Sequence, residues 1–438
     1  MVYVSHTKSA AKVIIKSTLW LFFKKKITII RYHLKFRKNR IFFVLFTTTP
    51  KHFHTFAFSF FKNQISIRTR MFVKEVTTRK ELKAFIQFPK KLYRGCPHYV
   101  PPLDDAEMKA LTRHPAMEFC TLKLWMAYEN GEVVGRIAGI INHKCNELKG
   151  QKRVRFGWFD TVDDFSVAQV LLSTVEAWGK ENGLTEICGP SRFSNMDKQA
   201  MLVEGFDQTS SIEADYNYPY YPQFVEKYGM VKEVDYVQYK VQVLEVPEKI
   251  NALCDKISER THVHFHRYRN KAELKRMGKD FFRVINQSYQ HIFNFIPLTE
   301  KEIDYMVDNN FAVADPELVS VLEDERGKMV GIAFCLPSLS EAFKKADGRL
   351  FPFGWVHILR ALKRNDLVDM YLTGIIPEYA NSGIHILYHK QLNEAFLKKG
   401  YQYAITSQQL ETNMAANIWS KYASEPFCRR RCYKKDIL

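Results

Sequence analysis

A repeated unit constrains the fold of this chain more than any other feature of its sequence. Residues 124–141 read LWMAYENGEVVGRIAGII, and residues 318–336 read LVSVLEDERGKMVGIAFCL. Each segment consists of an apolar run, a glycine-containing turn and a second apolar run, which predicts a β-hairpin. The pairs Val134-Gly135 and Val330-Gly331 lie 196 residues apart. A repeat of this period indicates a duplicated domain rather than a solenoid.

The same elements follow each hairpin. A strand at 154–160 in the first copy, and one at 368–376 in the second, precedes a segment whose apolar residues recur with helical spacing. The first helical face consists of Val167, Val170, Leu171, Val175 and Trp178, and the second of Ile384, Leu387, Tyr388, Leu392, Ala395 and Phe396. Further strands follow at 186–188 and 403–407. This alternation predicts an α/β fold in which each copy has a mixed central sheet flanked by helices.

The first 70 residues differ in composition from the rest. They carry 15 of the 65 Lys and Arg residues, none of the 47 acidic residues and 11 of the 33 Phe residues. We expect residues 1–70 to be a basic extension that is disordered or not native, although such a segment could also bind anionic lipid or serve as a transit peptide. We place the first domain at 71–246 and the second at 247–438, because Pro247 interrupts a strand there.

The remaining composition excludes several functional classes. From Met71 onward the chain is nearly neutral, so we expect no nucleic-acid partner. The eight cysteines are scattered and form no CxxC pair, which argues against structural zinc and against a disulfide framework. We therefore expect no metal and a cytoplasmic location.

Two segments of the second copy carry a resemblance to a known family. Residues 371–396, YLTGIIPEYANSGIHILYHKQLNEAF, resemble the acyl-CoA motif of the GNAT acyltransferases, in which a strand runs through an Arg/Gln-x-x-Gly-x-Gly/Ala turn into a helix. Only Gly383 matches that turn. Residues 411–435 resemble the closing helix and strand of the family, with Asn413 in place. The chain thus resembles tandem GNAT-like acyl-CoA N-acyltransferases, including the bacterial, ceramide-forming type that acylates long-chain amino bases.

This resemblance implies a donor site in the second copy for acetyl-CoA or a longer acyl-CoA. The implied donor-binding residues are the strand edge Gly374, Ile375 and Ile376 and the phosphate turn Ser382, Gly383 and His385. Glu411 is the candidate base, Tyr422 the candidate acid and Asn413 the residue that positions the amine acceptor. The first copy has Asp163-Asp164 at the corresponding turn, where carboxylates would repel a pyrophosphate.

Other residues suggest the kind of acceptor. Within an insertion at 339–366, Trp355, Ile358, Leu359 and Leu362 share a helical face beside Arg360, Lys363 and Arg364. A basic amphipathic helix of this kind is typical of an interfacial membrane contact or a portal for a lipid-like substrate. We therefore expect a lipid-like amine and a peripheral location at the inner face of the membrane. Tyr220 and Tyr221 are further candidates for acceptor binding.

Each of these residues also has a purely structural interpretation. Glu411 and Asn413 could cap the next helix, Tyr422 and the tyrosines at 220–221 could pack, and the 355–362 face could lie against its own domain. The run Arg429-Arg430-Arg431 suggests a solvated edge strand. Two other functions remain open from the sequence: a Fem-type aminoacyl transferase and a non-catalytic binding protein with a degenerate GNAT fold.

Overall fold

The computed structural model describes residues 71–438 except 312, 414–418, 420–423 and 438, together with three strands of the preceding segment. Residues 1–70 and 71–438 form two compact units. In the first unit the described strands, Tyr32–Arg37, Arg40–Phe46 and Thr55–Ser59, pair antiparallel in chain order. The expectation of a disordered or non-native extension mostly concerns residues outside the described ranges.

The second unit, residues 71–438, contains strands and helices that are numbered here from Met71. The strands are β1 Phe72–Glu75, β2 Cys120–Glu129, β3 Glu132–Asn142, β4 Arg153–Thr161, β5 Glu186–Gly189, β6 Met201–Glu204, β7 Val231–Gln242, β8 His264–Phe265, β9 Val319–Glu323, β10 Met329–Pro337, β11 Leu367–Ile375, β12 Tyr403–Ile405, β13 Gln409–Leu410 and β14 Ser424–Asp436. The helices are α1 Arg79–Leu92, α2 Asp104–Arg113, α3 His143–Lys149, α4 Phe165–Glu181, α5 Tyr220–Lys227, α6 Glu248–Thr261, α7 Lys271–Ser288, α8 Glu300–Asn310, α9 Ser340–Ala346, α10 Gly354–Lys363 and α11 His385–Lys399.

Both hairpins form where the sequence predicts them. The β2–β3 turn has φ of 53° at Asn130 and 83° at Gly131, the left-handed pair that a two-residue type I′ turn requires. The β9–β10 connection is longer, and the Asp324 carboxylate organises it by accepting hydrogen bonds from the backbone N–H groups of Arg326 and Lys328. Helices α4 and α11 bury most of their predicted apolar faces against the sheet.

All fourteen described strands of this unit join into one mixed sheet. The order along it is β8-β9-β10-β11-β12-β7-β14-β5-β4-β3-β2-β1, with β13 beside β7 and β6 beside β14. The last strand of each copy has exchanged places: β7 of the first copy pairs with β12 of the second, and β14 of the second pairs with β5 of the first. The two closing strands then pair antiparallel with each other. Each copy therefore completes the sheet of the other.

This exchange corrects one expectation. The Arg429-Arg430-Arg431 run does not lie on a solvated edge strand, because β14 is bordered by β7 and by β5 and β6. Arg430 is fully buried and donates to the backbone carbonyl of Asp215. Arg431 donates two hydrogen bonds to the buried Asp235 carboxylate on β7, at 2.7 and 3.0 Å. The arginines thus fasten the two copies together.

Candidate functional site

A bulge and a divergence of strands create an opening in the sheet of the second copy. Strands β11 and β12 pair in parallel at Leu367, Val368 and Asp369, and the pairing ends with Asp369 opposite Ile405. Beyond that point β11 continues beside β10, with Tyr371 as an extra residue between the paired positions Met370 and Leu372. The chain after β12 turns instead toward β7, where β13 pairs. A wedge therefore opens between β11 and β12.

A cavity of about 230 Å³ occupies this wedge at the junction of the two copies. One wall is β11 from Asp369 to Thr373, and another is the segment from Ile405 to Leu410. The first copy contributes Gln238 from the exchanged strand β7 and Glu213 from a loop. The cavity is thus assembled from both copies.

The Asp369 carboxyl is the most perturbed acid of this cavity. It is 6% exposed, and its Oδ2 atom has no hydrogen-bond partner in the described structure. Burial raises the pKa of Asp369 to about 7, although its hydrogen bond with Ser338 acts in the opposite direction. A carboxyl with a pKa near neutrality in a cavity is suited to general acid–base chemistry. Asp369 was not among the residues predicted from the sequence, where its only signal is a single acid within the apolar strand LVDMYLTGI.

The bulged residue Tyr371 connects this wall to the first copy. Its hydroxyl hydrogen-bonds the Glu213 carboxylate. The equivalent strand of the first copy, β4, also carries an extra residue between Arg136 and Ala138 of its partner β3, so the duplication extends to the bulge. Nothing in the local sequence predicted either irregularity.

The corresponding wedge of the first copy is closed. Its parallel pairing ends at Arg155 opposite Cys188, so Arg155 occupies the position equivalent to Asp369. Ser191 donates its backbone N–H to the Phe156 carbonyl at 2.8 Å across the gap. The cavity that remains there measures about 40 Å³, too small for an acyl-thioester arm, and a cation stands where a base would be needed.

The turn after β11 offers positive charge to a phosphate. Ser382 and Gly383, with φ of +84° at Gly383, lead into the N-terminus of α11 at His385. Arg260 of α6 donates to the Ser382 carbonyl and so places a guanidinium at this turn. Burial lowers the pKa of His385, which keeps its ring uncharged at neutral pH. Arg260 was not predicted from the sequence either, because it lies more than 120 positions from Ser382.

In the first copy, a side-chain carboxylate already lies at the helix N-terminus that corresponds to the turn before α11. Asp164 is the N-cap of α4, and its Oδ1 accepts hydrogen bonds from Ser166 N and Oγ, both at 2.8 Å. Asp163 adjoins it. A phosphate would have to displace this cap and approach two negative charges, which the helix N-terminus cannot offset.

The remaining donor and catalytic candidates are distributed as follows. Gly374 and Ile375 lie at the end of β11 and Ile376 is buried just after it, beyond the residues that line the cavity. Asn413 lines the cavity. Glu411 does not, and it forms ion pairs with Lys232 at 2.5 Å and Arg429 at 3.1 Å. Tyr422 lies outside the described residues.

The acceptor candidates do not meet this cavity. Tyr221 is fully buried, and its hydroxyl accepts a hydrogen bond from Thr161 N at 2.9 Å and contacts the Tyr93 hydroxyl. Tyr220 donates to the Thr161 carbonyl at 2.8 Å. Both tyrosines belong to the core of the first copy. Trp355 is the second residue of α10 and is 45% exposed.

Comparison with solved structures identifies the fold. A tandem GNAT protein from the clavulanic acid biosynthesis pathway, solved without acetyl-CoA, superposes with a TM-score of 0.50 at 10% identity and covers 84% of this chain and 99% of that one. A GCN5-related glucosamine N-acetyltransferase region of a fungal multi-domain β-N-acetylglucosaminidase gives a TM-score of 0.51 at 12% identity, over 84% of this chain and 38% of that one. The chain therefore has a tandem GNAT fold, with two copies of that fold in one polypeptide.

Two curated proteins are similar in sequence. The chain is 28% identical to Protein YghO of Escherichia coli over 375 residues, which cover 83% of this chain and 95% of that protein. It is also 28% identical to the bacterial ceramide synthase of Caulobacter vibrioides over 296 residues, 66% of this chain and 75% of the relative. No protein-family model matches the chain.

The described residues contain no group of three or more His, Cys, Asp or Glu side chains placed to hold a metal ion. Nor does any helix among them combine the length and apolar character needed to cross a membrane.

Proposed function

We propose that the protein is an N-acyltransferase that moves an acyl group from acyl-CoA to an amine at the wedge of the second copy. The observation that carries this proposal is the cavity where β11 and β12 diverge, with the unpartnered Asp369 oxygen at its apex. An open strand edge, a cationic turn and an acid with a pKa near 7 occur together in this copy. The equivalent positions of the first copy have none of the three: its gap is bridged, Asp163 and Asp164 lie at the turn, and Arg155 replaces the acid.

The donor is held by backbone and by charge. Beyond Asp369, β11 presents to the cavity an edge without a strand partner in the described sheet, where the amide groups of a pantetheine arm could form hydrogen bonds. The pyrophosphate would be held by the turn at Ser382 and Gly383, by the N-terminus of α11 and by Arg260. This arrangement applies equally to acetyl-CoA and to longer acyl-CoA.

Asp369 acts as the base. As the amine nitrogen forms its bond to the acyl carbon, the carbon–sulfur bond breaks and a proton must leave the nitrogen. The Asp369 carboxylate takes this proton, and the same proton can then be passed to the departing CoA thiolate, so that both charges are balanced. General-base catalysis of this kind contributes about 10²- to 10⁴-fold in rate. We favour Asp369 over Glu411, because two cations bind the Glu411 carboxylate outside the cavity.

The acceptor is a long-chain amine. One of the two sequence relatives is named a bacterial ceramide synthase, and the resemblance seen in the second copy leads to the same class of acceptor. We place the reaction at the cytoplasmic side of the membrane, with the protein peripheral to it.

Ligand-induced stabilisation, combined with product analysis, tests the proposal. Coenzyme A, acetyl-CoA and palmitoyl-CoA are added separately, and unfolding is followed by calorimetry. A ligand at a hundredfold excess over its Kd stabilises the folded state by about 2.7 kcal/mol. Amide formation from palmitoyl-CoA and sphinganine is then measured by mass spectrometry.

The possible outcomes separate the alternatives. Asp369→Asn is expected to be stabilised by CoA as the wild type is, but to form little amide. Stabilisation of the wild type without any amide would favour a non-catalytic binding protein. Absence of stabilisation by every CoA species would contradict the donor site.

A further inference from the structure

The segment around α10 exposes an unusual concentration of apolar side chains. Eleven large apolar residues are exposed among the described residues, and five of them fall within the nine positions 351–359. These five, called here the interfacial patch, are Phe351 (78% exposed), Phe353 (71%), Trp355 (45%), Val356 (41%) and Leu359 (49%). Single exposed apolar residues are ordinary, but a contiguous cluster of this size usually marks a binding surface.

The fold holds this patch in a fixed shape. A Cβ added at Gly354 would lie 1.9 Å from the Arg349 carbonyl oxygen, so the chain there is packed as closely as a glycine allows. The backbone N–H of Trp355 donates to the Leu350 carbonyl at 2.9 Å. Its indole N–H donates to the Pro352 carbonyl at 3.0 Å. The exposed rings are therefore presented by an ordered hairpin of α9 and α10.

The first copy anchors the base of this hairpin. Lys90 donates to the Asp347 carbonyl at 2.9 Å, and the Gly348 carbonyl accepts the backbone N–H of Asp104 at 2.9 Å. At the start of α9, Ser340 donates to the Ser210 carbonyl. Since the hairpin is tied down on this side, its apolar rings remain on the outside of the molecule.

Basic side chains border the patch. Arg349, Arg360, Lys363 and Arg364 are all exposed, and no described carboxylate forms an ion pair with any of them. Aromatic and aliphatic side chains bordered by unpaired cations match the surface of an anionic bilayer, where the apolar groups enter the headgroup region and the cations meet phosphates.

A second cavity is lined both by residues of this helix and by the proposed base Asp369. It measures about 830 Å³, and its outer wall includes His357, Arg360 and Ala361 of α10. Asp369 and Ile405 also line this cavity, and both line the donor wedge as well. The last paired rung of β11 and β12 therefore borders both cavities, the wedge and the cavity beneath α10.

We propose that the interfacial patch seats the protein on an anionic bilayer and that an amphiphilic amine passes from this bilayer, through the cavity beneath α10, to Asp369. The delivery step rests on the proposed acyl transfer, whereas the docking step does not. In this arrangement the amine group leads into the cavity while its apolar chain stays close to the lipid. Donor and acceptor then reach Asp369 by different routes.

Vesicle partitioning tests the docking step. The variant Phe351→Ser/Phe353→Ser/Leu359→Ser of the full chain is compared with the control Leu148→Ser/Leu397→Ser, which removes exposed apolar residues elsewhere. Co-sedimentation uses vesicles of phosphatidylcholine with 30% phosphatidylglycerol. Loss of these apolar contacts is expected to weaken partitioning by about 30- to 1,000-fold, and the control should bind within about twofold of wild type. Equal binding of the patch variant and the wild type would overturn the proposal, as would a wild type that does not bind.

A charge variant tests the type of membrane. Arg349→Gln/Lys363→Gln is expected to reduce binding to the anionic vesicles by about 25-fold, at about fivefold for each cation. Binding to pure phosphatidylcholine should not change. Equal losses on both kinds of vesicle would contradict an electrostatic contact. Unchanged thermal unfolding of all variants is the check that the substituted side chains are not core residues.

A larger side chain in the wall of the cavity beneath α10 tests the delivery step. Ala361→Phe should retain vesicle binding and CoA binding but lose at least tenfold in amide formation from sphinganine embedded in the vesicles. Wild-type turnover by this variant would overturn the proposed route. If the wild type binds vesicles but forms no amide, the proposed function and the delivery step fail together while the docking surface stands.

Discussion

Asp369 and Ile405 form the last parallel rung between β11 and β12, and the sheet opens immediately beyond them. The same rung in the first copy consists of Arg155 and Cys188, and the gap beyond it is bridged by a backbone hydrogen bond. One duplicated scaffold therefore holds an aspartate beside an open wedge and an arginine beside a closed one. This difference assigns the proposed chemistry to the second copy.

Replacing the proposed base should separate activity from stability. Asp369→Asn is expected to lower kcat for amide formation by about 10² to 10⁴, whereas Glu411→Gln should remain within a few-fold of wild type, since it removes ion pairs only at a partly exposed site. Steady-state kinetics of both variants provide the measurement. A greater loss in Glu411→Gln than in Asp369→Asn would restore Glu411 as the base.

Asp369→Asn should also lose less stability than the wild type as the pH rises. The pKa of Asp369 is raised from 3.8 to about 7, so between these values the folded state binds more protons than the unfolded state. The contribution of Asp369 to the free energy of unfolding therefore falls by at most about 4 kcal/mol as the pH rises from about 4 to 7. The free energy of unfolding of Asp369→Asn, measured with denaturant, should decrease less over this pH range than that of the wild type. An identical pH dependence in both proteins would mean that the carboxyl is not destabilised by burial.

Donor binding should depend on the turn of the second copy alone. Gly383 has φ of +84°, so Gly383→Phe strains the turn and crowds the proposed phosphate site, and CoA affinity should fall by at least tenfold. Asp163→Phe changes the corresponding turn of the first copy and should leave CoA affinity unchanged. Calorimetric titration measures both. Equal losses, or a loss in Asp163→Phe alone, would move the donor site to the first copy.

The exchange of closing strands predicts that neither copy folds alone. The boundary proposed from the sequence, between residues 246 and 247, leaves 71–246 without β14 and 247–438 without β7. Each fragment would expose the strand edge that the other copy covers, so each should be aggregated or unfolded by itself. Co-expression of the two fragments should restore a soluble complex. Cooperative unfolding of either isolated fragment would contradict this view of the interface.

The basic first 70 residues should not contribute to the stability of the rest. A chain that starts at Met71 is expected to unfold at the same midpoint temperature as the full chain, because the folded unit begins at β1 with its own cores. Scanning calorimetry of both proteins is the measurement. A clearly lower midpoint for the shorter chain would show that residues 1–70 stabilise the folded body.

Local patterns in the sequence predicted the elements of the fold but not their assembly. The Asn130-Gly131 turn and the apolar faces of α4 and α11 depend on neighbouring residues, so the sequence specified them. The partner of a closing strand depends on residues almost 200 positions away, and each copy contains an equivalent position. For this reason the arginines at 429–431 resembled a solvated edge strand, although Asp235 and the Asp215 carbonyl bind two of them inside the sheet.

The sequence could indicate parts of the proposed site only where its residues are contiguous. Gly383 and the start of α11 could be found because a turn motif is contiguous. Asp369 was missed because its role arises from the bulge at Tyr371 and from the divergence of two strands, neither of which has a sequence signature. Arg260 reaches the turn from another helix, and Glu213 and Gln238 enter the cavity from the first copy.

The pH dependence of turnover tests the central claim most directly. With palmitoyl-CoA and sphinganine both saturating, kcat is measured from pH 5.5 to 8.5 for the wild type and Asp369→Asn. A base with a pKa of about 7 must be deprotonated to act, so wild-type kcat should rise with pH along a limb whose midpoint lies near 7. Asp369→Asn should be slow and lack this limb. A limb at the same pH in the variant, or equal rates for the two proteins, would contradict the assignment of Asp369 and the wedge of the second copy as the site of acyl transfer.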